Sequence, residues 1–112
     1  MRYDMHLNEA PFNSIVAGNK TLEVRLNDSK RQLLQIGDEI LFTNRNNENQ
    51  TLLKTIKSLR KYDSFKDFAI NEDCTMAGFD ANYNTQDVVD AYRKYYSQED
   101  ENKFGVLVIE IF

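Results

Sequence analysis

The sequence predicts a small α+β domain, built as a mostly antiparallel β-barrel with helices inserted into it and flanking it. Three observations predict this class. About five short runs alternate or hold unbroken apolar character as strands do, while shorter stretches between them carry helical spacing behind Asn or Ser caps. The chain has 112 residues, 41% of them hydrophobic, with 7 Phe and 6 Tyr, enough for one modest core. Four Gly and one Pro leave no long linker or low-complexity segment, so residues 1–112 read as one domain.

The elements follow in order. Tyr3 to Leu7 alternates weakly and is the first strand. Asn8 offers a cap to a helix over about residues 9–17, with Pro11 in the first turn, where its missing N–H costs nothing. Phe12, Ile15 and Val16 share one face of it, and Gly18 ends it. Lys20 to Asn27 is the second strand, with Leu22, Val24 and Leu26 on one face and Thr21, Glu23, Arg25 and Asn27 on the other. Ser29 to Gln35 is a turn or short helix, and Ile36-Gly37-Asp38 turns into a strand over Glu39 to Thr43. Asn44 to Asn49 is a polar hairpin loop before a long strand from Thr51 to about Tyr62. Asp63 or Ser64 caps a short helix carrying Phe65, Phe68 and Ala69 inward; residues 71–83 have no clean period and form an ordered loop. Asn84 caps a helix whose stripe is Val88, Val89, Tyr92, Tyr95 and Tyr96, and Ser97 with Asp100 restarts a helical turn. Val106 to Ile111 is an apolar strand buried on both faces.

Charge narrows the classes of function. The formal net charge is −4, but residues 1–62 carry +3 and residues 63–112 carry −7. Gripping a long duplex needs many cations facing phosphates, so duplex DNA is a poor partner, whereas a pocket with a few placed cations is compatible with this balance. The N-terminus lacks an apolar signal core, and no apolar run approaches the roughly 20 residues that span a bilayer, so a soluble cytoplasmic protein is expected, with no membrane role. Cys74 is the only Cys and His6 the only His; no metal-ligand spacing and no Gly-rich phosphate loop occur, so neither metal nor cofactor is expected. Cys74 reads as a buried structural residue, and Glu99-Asp100-Glu101 as a solvated turn.

One constellation stands out. On an extended strand Glu23 and Arg25 lie about 7 Å apart on one face, with Lys20 just past the helix-ending Gly18. Lys and Arg can orient an anionic or carbonyl group, and Glu can accept a proton or hydrogen-bond a base edge. The same pattern also fits a solvated strand face with a weak surface ion pair. Two further features carry similar pairs of readings. The tyrosine stripe is a core face or a base-stacking surface, with Tyr96 its most accessible member. Lys54, Lys57, Arg60 and Lys61, and Arg45 in the hairpin loop, are phosphate guides or ordinary surface charges.

The spacing Gly18-x-Lys20-x-x-Glu23-x-Arg25 resembles the G-x-K-x-x-E-x-R signature of the ASCH domain, a relative of the PUA domain. Met5-His6-Leu7 with Pro11-Phe12 resembles the opening of one bacterial ASCH group, and Ile36-Gly37-Asp38-Glu39-Ile40 resembles its "GD" turn. Ala77-Gly78-Phe79, Tyr95-Tyr96 and Gly105 through Ile111 are similar to its distal part, so the resemblance spans nearly the whole chain. It implies a PUA-like barrel with a cleft beside the motif strand, lined by Lys20, Glu23 and Arg25, that binds RNA, a nucleoside or a nucleotide; Thr21, Arg45 and Tyr96 are further candidate ligand-binding residues.

The resemblance also implies an enzymatic alternative. One small ASCH branch deacylates 4-acetylcytidine with a Lys, a Thr and an acidic residue, and other ASCH proteins act as ribonucleases. The Lys matches Lys20, the Thr position holds Glu23, and the acid falls near Asp80. In such a scheme Lys20 is the base or activates water, Glu23 or Asp80 moves the proton, and Arg25 stabilises developing negative charge. Binding is the leading expectation, because the family motif is intact while this catalytic set is not. A protein-interaction domain with a vestigial pocket is a third reading, suited to the acidic C-terminal half.

Overall fold

Five strands and four α-helices follow one another along the chain, and the computed structural model describes residues 1–112. β1 (Arg2–Leu7) leads through α1 (Glu9–Val16) to β2 (Leu22–Leu26), β3 (Glu39–Asn44) and β4 (Thr51–Tyr62). Then α2 (Phe65–Asn71), α3 (Thr85–Arg93) and α4 (Gln98–Phe104) precede β5 (Val106–Ile111), with 3-10 turns at Arg31–Leu33 and Cys74–Ala77.

The strands form one sheet in the order β1-β3-β4-β5-β2. β1 runs parallel to β3, and the other three pairings are antiparallel, which gives the mostly antiparallel arrangement expected. A register shift between Ile56 and Ser58 interrupts the β4–β5 ladder, a device that bends a long strand. β1 and β2 each have a single neighbour, so the sheet is a curled half-barrel, open along the seam where these two strands face one another without pairing.

Apolar alternation divides the core between the two faces of the sheet. Met5, Leu7, Phe12, Ile15, Phe42 and Ile56 pack on one side, with α1 as a plug. Leu22, Val24, Phe65, Phe68 and Val88 pack on the other, under α2 and α3. β5 serves both: Leu107, Ile109 and Ile111 enter the first cluster, Val106 and Val108 the second. Its unbroken apolar run is the consequence, since each fully buried side chain of this size contributes about 1.5–3 kcal/mol.

The helix starts follow their caps. Ser64 accepts from the Asp67 amide, Ser97 from that of Asp100, and Asn84 forms a reciprocal box with Asp87. Asn8 stands at the start of α1 but makes no capping bond; its Oδ1 accepts from Arg45 Nη1 at 3.1 Å instead.

Several local expectations are corrected. β2 begins at Leu22, because the Lys20 and Thr21 amides are held by Ser14 O and Met76 O. The tyrosine stripe does not run along one helix, since α3 ends at Arg93 and the amides of Tyr95 and Tyr96 both fold back on Tyr92 O. Cys74 is half-buried rather than buried, its Sγ 3.7 Å from Ala69 O, and burial pushes its thiol pKa up. Glu101 is 2% exposed, not solvated: it accepts from the Phe65 amide at 2.6 Å and from Arg93 Nη2 at 2.7 Å. An acidic side chain at the start of α2 there meets both a free amide and the positive end of the helix dipole.

Candidate functional site

Local chain geometry sets the direction of Lys20. Gly18 takes φ +83°, a left-handed conformation that a side chain disfavours, and this turns the chain out of α1. The Asn19 and Lys20 amides then both donate to Ser14 O, at 3.0 and 3.1 Å, so Lys20 enters β2 from a fixed turn rather than a free loop. Gly78, at φ +100°, closes the 3-10 turn Cys74–Ala77 in a second left-handed step. That turn presents Ala77 O to the lysine: Nζ donates to Ala77 O at 3.0 Å and to Leu22 O at 2.7 Å.

Lys20 and Glu23 are both 6% exposed, so the charged face of β2 is not a solvated one. Glu23 Oε1 lies 3.9 Å from Lys20 Nζ and 3.6 Å from Arg25 Nε, and it accepts from the Val24 amide at 3.2 Å. Glu23 Oε2 is buried with no hydrogen-bond partner in the protein. Burial pushes the Lys20 pKa below the ordinary lysine value; the Glu23 carboxylate opposes that shift and the Arg25 guanidinium adds to it. The lysine is thus a buried cation, anchored by two carbonyls and separated from its carboxylate by more than a hydrogen bond.

These residues form the floor of a cleft of about 400 Å³ set in the seam between β1 and β2. Ligand sites commonly fall in the range of about 300–1,000 Å³. His6 to Asn8 and Pro11 supply one wall, while Phe79, Tyr92, Tyr95 and Tyr96 supply the other. Two guanidiniums converge on His6 O, each at 3.5 Å: Arg25 Nη2 from β2 across the seam, and Arg45 Nη2 from the end of β3 beside β1. The aromatic wall is rigid because Phe65 backs it. The Tyr92 ring stacks on Phe65 with centroids 4.4 Å apart and Tyr96 does so at 5.5 Å, while Phe79 meets Tyr92 edge-on at 5.4 Å. Burial, helped by the negative charge of Glu23, raises the Tyr92 phenol well above its ordinary pKa. Tyr96 is raised chiefly by burial, and Arg25 works against the shift. Both phenols are therefore neutral at physiological pH and able to donate a hydrogen bond.

The structure brings Lys20, Glu23, Arg25, Arg45 and Tyr96 together around this cleft. Thr21 stands just before β2, half-buried and outside the lining. Asp80 borders a different cavity with Cys74, Glu72 and Asp73. Of the basic run on β4, Arg60 is committed to Glu72 at 2.6 Å and Glu110 at 2.8 Å, and Lys57 to Glu110 at 3.5 Å, so neither faces the cleft. Sequence reasoning missed His6, Asn8, Phe79, Tyr92 and Tyr95 as lining residues; only the β1–α1 junction and the helical stripe hinted at them. A larger depression of about 590 Å³ lies between α2, α3 and α4, but its central charges, Arg93 and Glu101, are paired at 2.7 Å. No group of three or more His, Cys, Asp or Glu side chains is placed to hold a metal ion, and no helix is long and apolar enough to cross a membrane.

The sequence model of the ASCH domain matches residues 5–112. Among solved structures, the hypothetical protein PH0355 is 34% identical, with a TM-score of 0.84 over 99% of this chain and 97% of that one. The solution structure of PF0455 from Pyrococcus furiosus is 31% identical, with a TM-score of 0.78 over 99% of this chain and 96% of that one. An ASCH domain from Lactobacillus crispatus shares the fold at 17% identity, with a TM-score of 0.65 over 98% of this chain and 77% of that one. No curated protein matches the sequence.

Proposed function

Because the chain belongs to the ASCH domain family, we propose that the cleft between β1 and β2 binds a nucleotide, free or as one unit of a single-stranded RNA. The observation that carries this reading is one cleft of about 400 Å³ that joins an aromatic wall to three cationic side chains and one acidic one. Tyrosine and phenylalanine rings stack on bases, guanidiniums hold phosphates, and a carboxylate reads base donors. Arg45 is exposed at the rim, where a phosphate remains partly hydrated, while Glu23 and Lys20 lie deep, where a base edge would be desolvated. A groove with so few cations holds one or two units rather than a long strand, which fits a chain of net charge −4.

Calorimetric titration with the four ribonucleoside monophosphates, a short single-stranded oligoribonucleotide and a DNA duplex tests the proposal. Saturable binding of a ribonucleotide or the single strand, weakened by Arg25→Ala, is the expected result. Absence of heat with every ligand, or preference for the duplex, overturns it.

A hydrolytic reading draws on a separate feature, the burial of Lys20, which pushes its pKa down. An amine that loses its proton more readily can take one from water as the hydroxide adds to an acyl carbonyl; the C–N bond then breaks and the base amine leaves with the proton. Both carbonyls holding Nζ accept from the neutral amine as well as from the ammonium. The distance of Asp80 from the cleft leaves Glu23 as the acid within the scheme. Incubation with 4-acetylcytidine and with RNA, with and without a divalent cation, decides it. Turnover abolished by Lys20→Ala supports the enzyme; stable mixtures with bound ligand leave the cleft a binding site.

A further inference from the structure

Resting on the reading of the cleft as a nucleotide site, we propose that Glu23 is its specificity determinant, selecting bases that present an N–H donor. The argument starts from the two oxygens of one carboxylate. Oε1 has a partner: it accepts from the Val24 amide at 3.2 Å, and Lys20 Nζ at 3.9 Å and Arg25 Nε at 3.6 Å stand around it. Oε2 accepts from nothing in the protein and is itself closed off from solvent, while the side chain it belongs to is 8% exposed and borders the cleft. Buried side-chain oxygens almost always find a donor, and an ionised oxygen left without one is among the costliest groups to bury. The other buried carboxylate, Glu101, shows what satisfaction looks like here, with one oxygen on the Phe65 amide and the other on Arg93.

The surroundings say what kind of donor fits. Neither neighbouring cation donates to Oε2: Lys20 donates to two carbonyls, and Arg25 Nη2 stands 3.5 Å from His6 O with its Nε facing Oε1. The Tyr92 and Tyr96 rings flank the floor from the α3 side, so a flat ligand can lie against them with its edge toward the Glu23 carboxylate, and a rotation of that side chain presents Oε2 to it. An edge with a ring or exocyclic N–H meets an acceptor of full negative charge. An edge with only carbonyl oxygens or alkylated nitrogens meets repulsion, and leaves the carboxylate oxygen desolvated. The selection is therefore largely a penalty against the wrong ligand, the strongest kind of discrimination a polar group provides. It applies to the N3–H of uracil, the N1–H and amino group of guanine and the amino groups of cytosine and adenine, and it excludes bases in which methyl groups replace every N–H on the edge presented.

Paired titrations test this with the unaltered protein: uridine against N3-methyluridine, and cytidine against N4,N4-dimethylcytidine. The expected result is that methylation weakens binding of whichever parent binds by about 10- to 100-fold, the range for losing a hydrogen bond to a charged group. In Glu23→Gln, which keeps the shape but adds an amide donor at the same place, the discrimination shrinks to within about threefold, since the amide can turn its nitrogen toward an acceptor edge. Circular dichroism and the urea midpoint establish that the variant is folded. Parents and methylated analogues bound equally by the unaltered protein would overturn the role of Glu23 while leaving the nucleotide site standing. No binding of any nucleoside, nucleotide or short RNA would remove both.

Discussion

Replacing Lys20 by Met separates what the buried ammonium contributes through its bonds from what its burial costs. Methionine approximates the length of the side chain but donates nothing, so Leu22 O and Ala77 O lose their donors at 2.7 and 3.0 Å. Glu23 loses the cation at 3.9 Å but keeps Arg25 at 3.6 Å. Breaking a buried ionic contact while stranding its partners costs about 3–5 kcal/mol, and the retained arginine places this case near the lower end, about 3 kcal/mol at neutral pH. The pH dependence carries the sharper test. Burial lowers the folded-state pKa of Lys20 from the ordinary 10.5, so below the folded value both states are protonated and the burial penalty is constant. As pH rises through the folded value toward 10.5, the unfolded chain binds more protons than the folded one, and stability rises. Tyr92 and Tyr96 act with the opposite sign: their folded pKa values lie above the ordinary 10.0, so they erode stability only beyond that point. Subtracting the variant's urea-unfolding free energies from those of the unaltered protein cancels the tyrosine contribution. The difference should grow with pH inside the window, by at most about 1.4 kcal/mol per pH unit. A difference flat from about pH 7 to about pH 10 would refute the depressed pKa. A methionine variant as stable as the lysine form at neutral pH would refute the anchoring role.

Three further perturbations have equally direct readouts. Arg45→Ala removes a rim guanidinium that already donates to Asn8 Oδ1 at 3.1 Å; calorimetry should show the monophosphate weakened about tenfold with the nucleoside unaffected, and less salt dependence. Glu101→Ala strands the Phe65 amide and Arg93, and should lower the urea-unfolding free energy by about 3–5 kcal/mol; Glu101→Gln, which keeps one acceptor, should cost less. The hydrogen bond from Arg60 holds the Glu72 carboxyl below its usual pKa, so its stabilisation is present above the ordinary value of 4.5 and is lost as pH falls through the depressed one. Arg60→Met should therefore flatten the acid limb of the urea midpoint against pH, and an unchanged limb would show that the pair does not contribute there.

How legible the site was in the sequence depends on which neighbour decides each residue's environment. Strand patterning is a local property: alternation located β1, β3 and β4, and an unbroken apolar run located β5, to within a residue or so, because each is bounded by turn chemistry the chain itself carries. The same holds for Asn84 and Ser64, whose caps need only residues three further on. The charged face of β2 is decided differently. Period two assigns Glu23 and Arg25 to the face opposite Leu22 and Val24, and for an isolated strand that face would be wet. It is dry because residues some fifty to seventy positions later close around the edge of the strand: Ala77 O takes Lys20 Nζ, and Tyr92, Tyr96 and Phe79, which pack with Phe65 against Leu22 and Val24, also border Glu23 in the cleft. No local pattern reports such a cover, and the stripe that forms it was itself misread, since its helix stops at Arg93 and the last two tyrosines belong to the turn. Glu101 escaped for the same reason: its partners are an amide on α2 and a guanidinium on α3. What the motif spacing marked was the one place where the sheet leaves two edges unpaired. A protein that keeps such a seam open must cover it or fill it, and this chain covers it with tyrosines while leaving a single carboxylate oxygen unanswered beneath them. That combination is more costly than an apolar closure of the same seam, and a ligand that stacks and donates from the same ring relieves both costs at once.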